Sequence, residues 1–452
     1  MLIIIYNQHL TNVLLARDSS VRILLFTPAP LQTGPVYITF VLFCPESHQM
    51  SCCIIASMAS KPDPSPTHER ADYAEFSIAT AGGLAFAFII LFFFAVPMVG
   101  KLSASRDFIS YWATGQQLVH HGNPYDRDAV AALQHSEGLN VLAVLIMRNP
   151  PWALPIAYPL GFLPLRLAGS LWSLILLTCL LISVRMVREL CGSPPNHIHW
   201  LGFAFTPGLI CLTMGQTPLF ALLGLVLFLR LHRIRPFAAG AALWLCALKP
   251  HLFLPFVLVL LVWIVVSRSY RILLGSLAAF AADLAVTACI DPAAWNQYAY
   301  YMRTSSITHE FTPCLGNFLR DSIHPSAEWL AFLPCMIACV WALAWFWPRR
   351  RTWDWLENGS LLMLVSLLVA PFGWVFDQTL AIPALMHGAY ATRSRKLLAV
   401  LALIILVMDG EICFVPVISP LWLWTAPAFL AWYLLAHAST GKEALRPPTA
   451  AA

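Results

Sequence analysis

The sequence predicts an all-α polytopic membrane protein with about twelve transmembrane helices. Hydrophobic residues make up 59% of the 452 residues and charged residues only 11%, and the mean hydropathy is +0.72. A soluble domain carries about a quarter charged residues, so this composition excludes an ordinary soluble enzyme. The formal net charge of +5 is too small to indicate nucleic acid as a partner.

Apolar runs that could cross a bilayer recur along most of the chain. The predicted spans are 81–100, 168–190, 199–214, 217–231, 236–249, 250–267, 271–290, 328–347, 358–374, 377–392, 396–410 and 413–437. The apolar run 152–165 contains too many prolines for a simple span. We interpret it as a re-entrant or interfacial segment packed against protein.

Four parts of the chain are predicted from these runs. Residues 1–57 mix short apolar runs with prolines and fit the pattern poorly. We interpret them as a doubtful leader, with translation starting near Met58; the alternative is one extra weak span. A polar cytosolic N-terminus (58–80) precedes the transmembrane domain (81–437), and 438–452 form a cytosolic tail.

The distribution of Lys and Arg predicts the orientation. With 61–75 in the cytosol, inner connections receive 15 of the 27 cations and four acids, whereas outer connections receive eight cations and eleven acids. This is the asymmetry of the positive-inside rule. Both long polar connections, 101–151 and 291–327, then fall outside. We therefore predict a multi-pass protein of the plasma (inner) membrane whose functional site is extracytoplasmic.

The stretch 106–126, RDFISYWATGQQLVHHGNPYD, follows the first predicted span. Its apolar and aromatic residues have helical spacing, and Asn123–Pro124 close it as a turn. We predict an interfacial helix in the first extracytoplasmic loop, with its aromatics at headgroup depth. Our hypothesis is that Asp107, at the start of this helix, is a catalytic base. The alternative is a helix N-cap or first-turn acid.

Several polar residues on the same predicted face are candidate substrate-binding groups. A phosphate leaving group needs cationic donors. Interfacial contact with lipid headgroups is the alternative for each cation. Gln216 lies in a turn and could equally face water, and Asp377 follows a Pro/Gly break as a second candidate acid. The candidates are Tyr111, Arg148, Gln216, Lys249, Arg303, His309, Arg320 and Asp377.

No metal site and no cofactor are predicted. The twelve cysteines are scattered without a C-x-x-C pair, and His120–His121 and His197-x-His199 lack a third ligand at metal spacing. The sequence also lacks a nucleotide-binding P-loop.

Five segments of the chain stand out by their order and spacing. They are DFISYWATGQQL…GNPYD (107–126), NPPWALPIAYPLGFLPLRLA (149–168), GQTPLFALLGLVLFL (215–229), ALKPHLFLPFVL (247–258) and APFGWVFDQTLAIPAL (370–385). In this order they resemble the polyprenyl-phosphate-sugar-dependent glycosyltransferases of family 87, which belong to the GT-C class. The resemblance covers about residues 80–430.

The resemblance implies a GT-C-like fold whose first outer loop carries the catalytic Asp, matching Asp107. It implies a polyprenyl-phosphate sugar donor, mannose or a related sugar, and inverting transfer to a lipid or glycan acceptor among the membrane lipids. The chain has Val375, Phe376 and Asp377 where some relatives place His, and Asn149 where an aromatic is commoner.

The other interpretations of the protein's function are a transporter or flippase of lipid-linked saccharides and an assembly partner without catalytic activity. Transporters usually contain related halves, and the sequence has no clear internal repeat.

Overall fold

The computed structural model describes residues 2–6, 36–41, 54–58, 107–138, 144–305, 311–392, 394–412 and 414–444. The chain divides into two compact units, Met1–Phe88 and Ile89–Ala452. The predicted span at 81–100 lies outside the described residues, as do the predicted cytosolic N-terminus and most of the leader.

The first unit contains a small antiparallel sheet. Its strands are β1 (Leu2–Tyr6), β2 (Val36–Val41) and β3 (Ile54–Met58), in the order β1-β2-β3. Leu2 pairs with Val41, and Val36 pairs with Met58. These strands coincide with the short apolar runs of the leader, none of which is long enough to span a bilayer as a helix.

From Asp107 onward the described residues form only helices, turns and irregular segments, which confirms the helical prediction for this part of the chain. The α-helices are α1 (Phe108–Val119), α2 (Arg127–Ser136), α3 (Leu154–Ala157), α4 (Leu165–Leu190), α5 (Trp200–Phe203), α6 (Thr206–Met214), α7 (Pro218–Leu231), α8 (Pro236–Cys246), α9 (Leu254–Ser267), α10 (Tyr270–Ile290), α11 (Ala294–Thr304), α12 (Leu315–Ile323), α13 (Trp329–Arg349), α14 (Glu357–Leu368), α15 (Ile382–Ala391), α16 (Arg395–Glu411) and α17 (Thr425–Ala444). Short 3-10 helices lie at Pro151–Ala153, Tyr158–Phe162, Pro250–Phe253, Val375–Ala381 and Pro420–Trp424.

Four helical segments of the described chain are long and apolar enough to cross a membrane. They are Leu165–Leu190, Pro250–Ser267, Tyr270–Ile290 and Trp329–Arg349. The other predicted spans in the described residues contain shorter or interrupted helices, because their hydropathy continues across helix breaks. An 11-residue helix such as α8 is only about 17 Å long, against about 30 Å of hydrocarbon. The structure therefore establishes a membrane protein without establishing twelve separate spans.

The breaks follow from glycine and proline. α6 ends at Gly215, whose φ of +72° lies in the left-handed region, and α7 begins at Pro218. Lys249, which precedes Pro250, likewise has a non-helical backbone, because the proline ring disfavours the helical conformation in the residue before it. Two polar residues, Gln216 and Lys249, occupy these breaks, so each polar side chain lies where a helix has ended.

The prediction for 106–126 is corrected in one respect. α1 is a helix, but its aromatic residues face protein rather than lipid headgroups: Phe108 is fully buried, and Tyr111 and Trp112 are each 4% exposed. Trp112 Nε1 donates to the Leu163 carbonyl at 2.9 Å. Leu163 belongs to the proline-interrupted segment 152–165, which consists of short helices packed against α1. This agrees with the prediction that the segment is not a simple span and packs against protein.

The contact between α1 and that segment depends on two glycines. A Cβ atom on Gly115 would lie 2.4 Å from the Ala157 carbonyl oxygen and 2.7 Å from the Gly161 nitrogen. We expect Gly115→Ala to lower the free energy of unfolding by about 1–3 kcal/mol, because backbone atoms on both sides must separate. Thermal unfolding in detergent measures this. The matched control is Gly410→Ala, which meets no atom within 4 Å; equal melting temperatures for the two variants would contradict the packing argument.

Candidate active site

Asp107 precedes α1 but does not cap it. Its side chain makes no capping hydrogen bond; instead, its Oδ2 accepts a hydrogen bond of 2.6 Å from Gln216 Nε2. Asp126 shows the contrast, because its Oδ1 accepts from the backbone nitrogens of Asp128 and Ala129 at 2.9 and 3.1 Å. The N-cap alternative for Asp107 is therefore not supported. Its carboxylate is half-buried and points toward another helix break.

Hydrogen bonds from Trp172 and Cys211 hold the backbone of the turn that contains Gln216. Trp172 Nε1 donates to the Gly215 carbonyl at 2.7 Å, and Cys211 Sγ donates to the Gln216 carbonyl at 3.2 Å. The Gln216 nitrogen also donates to the Cys211 carbonyl at 3.0 Å. These bonds fix the backbone, so the amide group is aimed at Asp107 rather than at water. Trp172 and Cys211 are positioning residues that the sequence reasoning missed.

Tyr111 completes a directional chain of hydrogen bonds. Its Oη donates to Gln216 Oε1 at 3.3 Å, and the Gln216 amide donates onward to Asp107. The Tyr111 ring stacks on Trp172, with ring centroids 5.3 Å apart. Burial raises the pKa of Tyr111 above its ordinary value, and the nearby carboxylates of Asp107 and Asp377 raise it further. The phenol therefore stays neutral and remains a donor.

Lys249 and Asp377 form a buried ion pair. Lys249 Nζ lies 2.7 Å from Asp377 Oδ1, and the two side chains are 11% and 2% exposed. Asp377 Oδ2 accepts from the Trp374 backbone nitrogen at 2.9 Å, and the Lys249 ammonium lies 4.6 Å from the Phe376 ring centroid. Because both oxygens of Asp377 are engaged, this carboxylate serves to hold Lys249. The ammonium retains donors beyond the one given to Asp377.

The backbone before Lys249 is fixed by the segment that opens with Asn149. Asn149 Nδ2 donates to the Leu248 carbonyl, and Trp152 Nε1 donates to the Ala247 carbonyl, each at 2.8 Å. These carbonyls belong to the end of α8, where no further helical turn can satisfy them. Both donors sit beside the prolines of NPPW in the sequence, but nothing in the sequence alone indicates which carbonyls they meet.

The two groups of residues lie near one another. The Tyr111 hydroxyl lies within electrostatic range of both Asp107 and Asp377. The Cys211 thiol, which contacts the Gln216 backbone, lies within range of both Lys249 and Asp377. The start of α1, the two helix breaks at Gln216 and Lys249, and the 3-10 helix Val375–Ala381 thus bring an acid, a phenol, an amide and an ion pair near one another.

A cavity of about 320 Å³ adjoins the ion pair. Its wall is mostly apolar and rich in tryptophan, and Asp377 and Gln378 are among its lining residues. Gln378 Nε2 donates to Thr425 Oγ1 at 2.7 Å, whereas its Oε1 is buried without a hydrogen-bond partner. The lining residues are Leu252, Pro313, Cys314, Leu315, Phe318, Leu367, Leu368, Gly373, Trp374, Asp377, Gln378, Trp422, Leu423, Trp424, Ala426 and Pro427.

Comparison with known protein families decides the class of this protein. The profile described as glycosyltransferase family 87 matches residues 148–371, about half of the chain. The chain belongs to glycosyltransferase family 87. It is therefore a membrane glycosyltransferase, as its apolar helices also indicate. No curated protein and no solved structure matches the chain.

The matched segment of this glycosyltransferase contains Gln216 and Lys249 but neither acid. Asp107 precedes the match and Asp377 follows it. Both acids join the matched segment through direct contacts, Asp107 with Gln216 and Asp377 with Lys249.

Three of the remaining predicted cations of the glycosyltransferase lie in the described residues. Arg148 is exposed next to Asn149, and Arg303 is exposed on α11. Arg320 is 3% exposed and pairs with Asp321 at 2.9 Å. His309 lies outside the described residues. Within the described chain, no three His, Cys, Asp or Glu side chains converge as metal ligands.

Proposed function

We propose that this glycosyltransferase transfers a sugar, mannose or a related one, from a polyprenyl-phosphate carrier to a hydroxyl of a lipid or glycan acceptor. Transfer takes place on the extracytoplasmic face of the plasma membrane, with inversion at the anomeric carbon and with Asp107 as general base. The observation that carries the proposal is the Asp107 carboxylate, which makes no capping bond and is oriented by Gln216 inside the site.

Asp107 is set up to receive a proton. Gln216 engages its Oδ2, and Oδ1 is the oxygen proposed to meet an acceptor hydroxyl. The hydroxyl oxygen attacks the anomeric carbon, its proton passes to Asp107, and the bond from the anomeric carbon to the phosphate oxygen breaks. Polyprenyl phosphate leaves with the bonding electron pair. A phosphate is already a good leaving group, so one base suffices.

Lys249 is the group proposed to bind the departing phosphate. One of its ammonium protons is given to Asp377, and the others can be donated to phosphate oxygens. A cation already held in place stabilises the developing charge without reorganising during the reaction. In this scheme Asp377 acts through Lys249 and is a positioning residue.

The cavity beside the ion pair suits the first part of the carrier's hydrocarbon chain. Its apolar, tryptophan-rich wall includes Asp377, the partner of Lys249, which suits a molecule with a charged phosphate joined to an apolar tail. The unpartnered Oε1 of Gln378 can accept a hydrogen bond from a hydroxyl of the sugar.

The extracytoplasmic location is supported by the charge asymmetry and by the contacts. Asp107 bonds to Gln216 and Lys249 to Asp377, all four on predicted outer connections. Arg230 contacts Glu189 and Arg233 contacts Asp354, all four on predicted inner connections. The alternation of sides deduced from Lys and Arg therefore agrees with which residues meet.

Transfer by the purified protein tests the proposal. The protein is reconstituted in lipid nanodiscs with radiolabelled polyprenyl-phosphomannose and a membrane lipid extract, and the products are separated by chromatography. We expect a labelled glycolipid whose anomeric configuration is opposite to that of the donor. Movement of intact donor across proteoliposomes without a new glycosidic bond would instead establish the transporter alternative.

A further inference from the structure

A second group of polar side chains lies away from the active site. Three of its side chains have a polar atom shielded from solvent: Arg188 Nε on α4, His199 Nδ1 before α5 and Tyr390 Oη on α15. The His199 ring lies beside the Asn196 backbone and the Tyr390 hydroxyl beside the His199 backbone, whereas Arg188 Nε has no hydrogen-bond partner in the described residues. A buried donor without a partner costs about 1–3 kcal/mol, so Arg188 Nε is the donor that a ligand would satisfy. These three residues are called the Arg188 cluster below.

Helix packing explains why the three residues meet. A Cβ atom on Gly202 would lie 2.8 Å from Val184 and 3.2 Å from Met386, so α4, α5 and α15 touch at this point. Arg188 follows Val184 by four residues and Tyr390 follows Met386 by four, one helical turn further on the same faces. His199 precedes Gly202 by three residues. Accordingly, the Arg188 guanidinium lies within electrostatic range of both His199 and Tyr390.

The cluster lies near the opposite end of α4 from the active site. Trp172 contacts Gly215 in the active site, and Arg188 follows it by 16 residues on the same helix, about 24 Å away along the axis. That distance approaches the thickness of the hydrocarbon core. The exposed Trp200 ring beside His199, 59% accessible, is typical of a residue at the lipid headgroups.

The salt bridges of the described residues leave the charge of Arg188 unpaired. Within the described residues no carboxylate pairs with Arg188, and the adjacent Glu189 is engaged by Arg185 at 3.1 Å and Arg230 at 3.7 Å. One terminal nitrogen of Arg188 donates to the Pro194 carbonyl at 3.1 Å, which anchors the guanidinium and leaves Nε for a ligand. A fixed guanidinium fork, an imidazole and a phenol together suit an oxyanion such as phosphate.

We propose that the Arg188 cluster binds a phosphate group, presented by an anionic lipid headgroup on the membrane face opposite Asp107. The leaflet predicted at this end is the cytoplasmic one, where basic residues accumulate and anionic lipids are attracted to them. The site is separate from the active site, and the proposal does not depend on the glycosyl donor or acceptor.

Thermal unfolding in neutral detergent tests this proposal, with phosphatidylglycerol, phosphatidylcholine or inorganic phosphate added in separate titrations. We expect phosphatidylglycerol to raise the Tm of the wild type and phosphatidylcholine to leave it unchanged. Arg188→Gln should weaken the apparent Kd for phosphatidylglycerol by about tenfold or more, because a charged hydrogen-bond donor is lost. The matched control is Arg185→Gln, on the same helix and largely exposed, which should bind as the wild type does.

Tyr390→Phe removes one hydroxyl and keeps the ring, so it provides a mild second variant if Arg188→Gln does not fold. It should weaken phosphatidylglycerol binding several-fold. An Arg188-dependent shift with inorganic phosphate but none with phosphatidylglycerol would overturn the lipid headgroup as the ligand and assign the site to the free ion. Equal shifts for the Arg188 and Arg185 variants, unchanged binding by Tyr390→Phe, or no shift with either phosphate source would overturn the proposal.

Discussion

Replacing Asp107 with asparagine is expected to lower the rate of sugar transfer by about 10²- to 10⁴-fold while leaving the melting temperature unchanged. The amide has nearly the same shape but cannot take a proton from the acceptor. Stability should be retained, because the Asp107 side chain supplies no capping bond to α1. The rate is measured at saturating donor, and the melting temperature in the same detergent.

Asp126 provides the matched control for this experiment. Asp126→Asn should leave both transfer and stability unchanged, since asparagine also caps helices well. Asp126→Ala should lose about 1 kcal/mol of stability and keep its activity, because two capping bonds disappear. Asp107→Ala should lose transfer, and any loss of stability should come from the Gln216 amide that it leaves without an acceptor rather than from a lost cap. An Asp107 variant that unfolds readily but retains its specific activity would restore the helix-cap interpretation.

Breaking the Lys249–Asp377 pair is expected to have the second largest effect. Lys249→Met leaves Asp377 as a buried, uncompensated carboxylate, so the free energy of unfolding should fall by about 3–5 kcal/mol. Transfer should fall too, because the leaving phosphate loses its cation. Denaturant titration and the transfer assay measure the two effects separately.

The double variant Lys249→Met with Asp377→Asn separates structure from chemistry. Removing both charges should recover most of the lost stability, while the carbonyl of the introduced side-chain amide can still accept from the Trp374 nitrogen. Transfer should remain low in this variant. Recovery of transfer together with stability would show that the pair only supports the fold, and would remove Lys249 from the proposed mechanism.

The sequence predicted the elements of the site better than their surroundings. The spacing of aromatic residues identified α1 correctly, but periodicity marks only which side of a helix is apolar. It does not reveal whether that side meets lipid or protein. The close approach of Gly115 to Ala157 and Gly161 brings a proline-broken segment against Tyr111 and Trp112, and that approach has no local signature.

The contacts between residues of the site could not be predicted from the sequence either. Counting charges placed Asp107, Gln216, Lys249 and Asp377 on the same face. It could not pair Asp107 with Gln216, 109 residues away, or Lys249 with Asp377, 128 residues away. The same count placed Arg320 on that face, where the structure buries it against its neighbour Asp321. The membrane face on which a residue lies can be predicted from the distribution of Lys and Arg. The partner that the residue contacts depends on how the helices pack.

A structure of the protein with a bound, non-transferable polyprenyl-phosphate sugar and an acceptor tests the central claim most directly. The account predicts the acceptor hydroxyl about 2.6–3.2 Å from an oxygen of Asp107. It also predicts the phosphate in contact with Lys249 and the start of the hydrocarbon chain in the tryptophan-lined cavity. A donor whose anomeric carbon and phosphate lie far from both Asp107 and Lys249 would contradict the account.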